Sequence, residues 1–179
     1  MNMAAKRMAI GGVRGVAALM VLMLVSGCEG QTSALPPSAT APAPPDDMKF
    51  ETTEMTIKER KFTIEIADSE AKIQRGLMFR KQMDADHGML FLMGYSDYHS
   101  FWMKNTLIPL DIIYIDADGK VVDIHDRKPL DETGKGPMKP AKFVLELNAG
   151  RAKAIGLKVG DTVAIPEKYL KGKAGTSDK

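Results

Sequence analysis

The stretch from Gly88 to Asp116, GMLFLMGYSDYHSFWMKNTLIPLDIIYID, constrains the fold of this chain more than any other. Met89–Met93 is apolar at every position, so it reads as a central strand or one covered on both sides. Beyond Pro109, Asp111, Ile113 and Ile115 share one strand face, and Ile112 and Tyr114 take the other. A strand with two apolar faces must be buried between layers, so this stretch demands a sheet with a cover. It also holds the only tryptophan, Trp102, among a few polar side chains.

The flanking segments supply the rest of a β-rich domain. Thr53, Met55 and Ile57 alternate, Lys58-Glu59-Arg60-Lys61 reads as a charged turn, and Phe62, Ile64 and Ile66 resume the period of two. Asp68-Ser69-Glu70 offers a helix N-cap with early acidic residues, and Ile73 and Leu77, extended by the stem of Arg80, form one apolar stripe. Gly76 inside that helix points to close packing on the sheet. Gly94-Tyr95-Ser96-Asp97 is expected to break the Met89–Met93 strand, and His99–Thr106 to form another. In that strand Phe101, Met103 and Asn105 would face one way and Trp102, Lys104 and Thr106 the other. Asp118-Gly119 is a hairpin turn signal leading into Val121–Ile124. Lys128–Lys142 reads as a long Pro/Gly/Lys-rich loop, Phe143–Leu147 as a strand, Asn148–Leu157 as a turn or short helix, and Thr162–Ile165 as a last strand. The pattern predicts a mainly β (α+β) domain over residues 50–170, an antiparallel β-sandwich or open barrel of about seven short strands with one short helix.

The N-terminus reads as an address. A cationic start is followed by the apolar run Gly15–Val25, about half of the ~20 residues that span a bilayer, which fits a signal-peptide core. The run ends in Val25-Ser26-Gly27-Cys28, an aliphatic residue, two small ones and the chain's single cysteine. This resembles the bacterial lipobox, so residues 1–27 are expected to be a lipoprotein-type signal peptide and Cys28 the lipidated residue. More than one acyl chain would make the attachment stable. Glu29 does not choose between inner and outer membrane. Residues 28–49, with five prolines between Gly30 and Asp47, read as a semi-rigid tether of ~3.1 Å per residue. Residues 171–179 read as a polar tail.

Composition narrows the partners. The formal charge of +2 becomes −1 once Lys6, Arg7 and Arg14 of the expected signal are discounted, and no basic stripe remains for nucleic acid. A lone cysteine excludes an internal disulfide. HExxH, CxxC, GxSxG and phosphate-loop motifs are all missing, so no metal site or cofactor is expected, the catalytic residues of any enzyme stay unknown, and the balance leans away from an enzyme. His99 and Ser100 are adjacent on a predicted strand and so point to opposite faces. The domain is expected to act as a monomer.

GLMFR at 76–80, GMLFLM at 88–93, FWMKNTLIPLDIIYID at 101–116, DGKVV at 118–122, VLELNAG at 144–150 and GLKVGDTV at 156–163 resemble domain-of-unknown-function family 192 over about residues 51–168. The resemblance implies a small, mainly β domain, commonly exported in bacteria, and no established activity.

Trp102 and Lys104 on one predicted face, with Asn105 and Asp111 across a tight turn, form the candidate ligand site. The indole would stack on a ring, the ammonium would meet an anion, and the amide and carboxylate would orient the ligand. Arg80 would join as a planar anion clamp. The bland alternative is a structural cluster in which a buried Asp111 finds Lys104, Arg80 or backbone donors. An envelope-glycan hydrolase or transferase would use the same pocket. A third reading, Cu(I) handling, draws on Met78, Met83, Met89, Met93 and Met103 with His87 and His99, although methionine at strand spacing is usually core filler. The leading expectation is a binding or envelope-structural module, lipid-anchored at the bacterial cell envelope with its domain in the periplasm and a small-molecule, glycan or anionic ligand.

Overall fold

The structure, a computed structural model, describes residues 48–170. The expected signal peptide, Cys28, nearly all of the 28–49 tether and the 171–179 tail lie outside the described residues.

β1 (Glu51–Ile57) and β2 (Arg60–Ala67) form the expected hairpin. Its turn is the pair Lys58-Glu59, both at positive φ (51° and 29°), as a two-residue hairpin of matching twist requires. α1 (Glu70–Arg75) starts at Ser69, whose hydroxyl accepts from the Lys72 N–H, and stops at Gly76, earlier than the apolar stripe suggested. Gly76 sits at φ 45°, which ends a helix, and a Cβ there would touch the Phe91 ring at 3.4 Å. There follow β3 (His87–Asp97), β4 (Leu110–Ile115), β5 (Val121–Arg127), β6 (Ala141–Asn148), α2 (Arg151–Ala154) and α3 (Glu167–Leu170).

The mainly β, α+β class expected from the sequence holds. The strands make one open six-stranded sheet ordered β1-β2-β3-β6-β4-β5. β2 and β3 run parallel, joined by the crossover through α1, and every other pair is antiparallel. Local expectations differ at four places. Gly94, at φ 77°, bends β3 without ending it, and the register with β6 shifts between Leu92 and Asp97. His99–Thr106 is no strand: only Phe101 forms a bridge, to Lys135, and a turn then closes from Thr106 N–H to the Met103 carbonyl at 3.0 Å. Thr162–Ile165 contributes a single bridge, Thr162 to Lys120. A further short helix that was not expected, α3, joins α1 and α2, the latter falling within the 148–157 segment read as a turn or short helix.

Both faces of the sheet are buried. On one, Ile64, Leu90, Leu145 and Ile113 lie under α2, Leu157 and Val163. On the other, Met89, Phe91, Val144, Ile112 and Tyr114 lie under Leu77, Met103 and Ile108. Each such aliphatic or aromatic side chain contributes roughly 1.5–3 kcal/mol when fully buried. The second cover is made by irregular chain, pinned by a side chain from the sheet. Arg127, 1 % exposed, donates to the Phe101 carbonyl (3.3 Å), the Thr133 carbonyl (2.5 Å) and Asp131 Oδ2 (3.2 Å). It thereby holds two loops, 98–109 and 128–140, onto that face.

Candidate functional site

A cavity of about 830 Å³ lies over the second face, between α1 with the following turn and the 98–109 loop. Its volume is within the range of small-molecule sites. Phe91 and Met93 of β3 and Glu146 of β6 come from the sheet, Ile73, Arg75, Leu77 and Met78 from one wall, and Phe101, Trp102, Lys104 and Asn105 from the other.

The sequence candidates divide. Trp102, Lys104 and Asn105 line this cavity. Trp102 is half-exposed at 51 %, and Lys104 Nζ lies 5.2 Å from the indole centroid. The expected strand alternation holds as far as Met103, which is buried, and then fails: Asn105 turns at φ 56°, so Thr106 points inward. Asn105 Nδ2 lies 4.0 Å from the Met78 sulfur, and the Asn105 carbonyl accepts the Phe79 N–H at 2.8 Å.

Asp111 is elsewhere. The register pairs it with Leu147 and Asp126, on the α2 side of the sheet, opposite the cavity. Its Oδ1 accepts from Gly150 N–H (2.9 Å) and its Oδ2 from Ala152 N–H (2.8 Å), so it caps the first turn of α2. Backbone donors are thus the partners that burial of this carboxylate required.

Arg80 is on the cavity side but is not part of the wall. Its two terminal nitrogens pair with both oxygens of Glu65 at 2.6 Å each, and His87 Nε2 lies 2.7 Å from Glu65 Oε1. Burial alone would raise the Glu65 carboxyl, but Arg80 and His87 outweigh it and hold the group below the usual carboxylate range. The planar clamp anticipated for a ligand is engaged within the protein.

Glu146 is the residue that sequence reading missed. Cross-strand partners place Glu65, Met89, Glu146, Ile112 and His125 in one row across the second face. Glu146 is 5 % exposed, lines the cavity, and its carboxyl makes no hydrogen bond to another described residue. Burial pushes it up to about 8, a rise that Arg80 only partly opposes. The carboxyl is therefore mostly protonated at neutral pH and can donate as well as accept. In sequence it sits between Leu145 and Leu147, where a strand period of two reads it as solvent-facing.

The thioethers do not gather. Met89 and Met103 are core residues, Met78 and Met93 line this cavity, and Met83 lines a different depression beside Asn148. His87 is taken up by Glu65, and His99 Nε2 lies 3.0 Å from the Tyr95 carbonyl. Among the described residues no group of three or more His, Cys, Asp or Glu is placed to hold a metal ion.

Fold and site together define a small α+β domain, one open mixed sheet with a loop-roofed cavity on one face. The chain belongs to the DUF192 family, described as an uncharacterized ACR, whose model matches residues 52–165. It is 31% identical over 105 residues to a UPF0127 protein of Pyrococcus abyssi, a match covering 56% of this chain and 83% of that relative. A solved structure of a protein of unknown function from Novosphingobium aromaticivorans is similar at TM-score 0.60 and 37% identity, covering 71% of this chain and 94% of that one. Another, of a proposed transcription regulator from Sinorhizobium meliloti, has TM-score 0.61 and 36% identity over 66% of this chain and 96% of that one.

Proposed function

We propose that this chain is a lipid-anchored binding module of the bacterial envelope, its domain held in the periplasm and its cavity receiving a small ligand, a saccharide or an anion. One observation carries the binding reading. Glu146 presents a buried carboxyl, without a hydrogen-bond partner among the described residues, to a cavity whose rim is the half-exposed Trp102. Apolar walls with a few convergent polar groups are the ordinary composition of a ligand site. The anchor reading rests on Val25-Ser26-Gly27-Cys28 closing an apolar run. Among the described residues no helix is long and apolar enough to cross a membrane.

Trp102 is the only indole in the chain, so its emission reports on the cavity without interference. Titration with envelope saccharides and small anions is expected to give a saturable emission change with at least one of them, weakened in Lys104→Ala while the melting temperature holds. A flat response across the panel sinks the binding reading. For the anchor, palmitate labelling is expected in the wild type and not in Cys28→Ala.

Glu146 also favours a second reading, an envelope-glycan hydrolase or transferase, because a protonated carboxyl beside a bound glycan is placed to act as a general acid. Asp111 is not the second carboxylate of such a site, since α2 takes both of its oxygens. Turnover that vanishes in Glu146→Gln separates this reading from simple binding.

A further inference from the structure

Few charges face the cavity. Among the described residues the charged side chains that line it are Arg75, Lys104 and Glu146, and the rest of the wall is mostly apolar, with Phe91, Met93, Phe101 and Leu77 forming much of it. Arg75 is engaged elsewhere, its guanidinium lying 5.0 Å from the Phe79 ring centroid. Lys104 beside one protonated acid makes a wall that attracts negative charge. Apolar surface on the sheet side asks for a ligand with a hydrocarbon or aromatic body. We infer that the cavity takes a small organic acid, a carboxylate carried on an apolar body, whose anionic oxygen accepts a hydrogen bond from the Glu146 carboxyl while Lys104 supplies countercharge. This rests on the binding reading above and names the chemistry of its ligand.

The surroundings of Glu146 support the assignment. Two carboxyl groups can share a site only when one keeps its proton. Glu146 meets that condition up to about pH 8 because of its burial. Arg80, the nearby cation that opposes the rise, is already bound to Glu65, which also holds His87. In the same sheet row His125 pairs with Asp123 at 3.2 Å, and the neighbouring Tyr114 hydroxyl donates to the Lys135 carbonyl at 2.7 Å. Those groups are engaged with one another, which leaves the acid–carboxylate hydrogen bond as the contact sensitive to alkaline pH. A neutral saccharide would make no use of the Lys104 charge.

Calorimetric titration of the full-length chain with sodium octanoate and with octanamide, at pH 6.5 and 9.0, tests this. Octanoate is ionised at both values, so its own charge does not change between them. Octanoate is expected to bind at pH 6.5 and about tenfold more weakly at pH 9.0, the factor set by ionising a group near 8. Octanamide is expected to bind at least tenfold more weakly than octanoate at pH 6.5. Glu146→Gln, which keeps a donor that cannot titrate, should bind octanoate equally at the two pH values. Lys104→Met, an exposed change, should weaken octanoate and leave octanamide alone. Should Glu146→Gln not fold, the wild-type pH pair and Lys104→Met still decide. The inference is overturned if octanoate binds equally at both pH values, if Glu146→Gln keeps the wild-type pH dependence, or if octanamide matches octanoate. Saturable binding of a neutral saccharide with none of octanoate overturns this inference alone, and no binding by either class overturns the binding reading as well.

Discussion

The Phe79 N–H donates to the Asn105 carbonyl at 2.8 Å, and both residues lie in left-handed backbone, at φ 65° and 56°. This bond joins the two walls of the cavity at a point where neither chain is relaxed. Left-handed backbone costs most residues roughly 1–2 kcal/mol, and asparagine is among the few that tolerate it.

Asn105→Ala is therefore expected to destabilise the domain by about 1 kcal/mol, and Asn105→Gly by no more than a few tenths. Urea unfolding of the two variants side by side measures the difference. Equal midpoints would show that position 105 stores no strain.

Glu146 has a raised folded-state value, about 8 against 4.5 for the free group, with burial as the first cause. The unfolded chain loses this proton first, so the group's contribution is full below about pH 4.5, falls as pH rises, and is gone above about pH 8. The total is on the order of 5 kcal/mol. Glu65, held by Arg80 and His87, and Asp86, which accepts from Arg60 (2.7 Å) and from Arg151, act with the opposite sign: held below their ordinary values, they contribute above those values and lose that contribution as pH falls. Subtracting the Glu146→Gln stability profile from the wild-type profile isolates the first effect. The difference should slope steadily from pH 5 to pH 8, and a level one would contradict the burial of this carboxyl.

Asp111→Asn keeps the size of the α2 cap and removes its charge, while turning an amide donor toward the Gly150 or Ala152 N–H. A loss of about 2–3 kcal/mol is expected, with faster hydrogen exchange at residues 150–154. Ligand titration of the folded fraction should be unaffected, because the residue lies on the opposite sheet face. A ligand-specific loss at unchanged stability would return Asp111 to the site.

Arg127→Met removes the guanidinium that ties residues 101, 131 and 133 to β5. Breaking one side of such a buried polar cluster typically costs about 3–5 kcal/mol. Trp102, adjacent to one of the tied carbonyls, should become more accessible to acrylamide quenching. An unchanged quenching constant would mean that the 98–109 loop is held by other contacts.

Much of the domain was legible in the letters because its signals are local. Alternation in 51–57 and 60–67, a charged turn opening at Lys58, the Asp118-Gly119 turn and the Ser69 cap each follow from the residues on the spot, although the first turn closes at Glu59 and not at Lys61. The class of fold, the family resemblance and the cavity-lining positions of Trp102, Lys104 and Asn105 could be approached from there. Strand periodicity says which residues share a face. It does not say what covers that face, which strand lies alongside, or in which direction that strand runs. Those choices depend on contacts between distant parts of the chain, so tertiary structure alone made β2 and β3 parallel and set β6 between β3 and β4. The same assembly sent Asp111 to α2 and Arg80 to Glu65. Glu146 shows the division most plainly: its neighbours Leu145 and Leu147 fixed its direction, and the loops folded over that direction turned a surface glutamate into a buried acid.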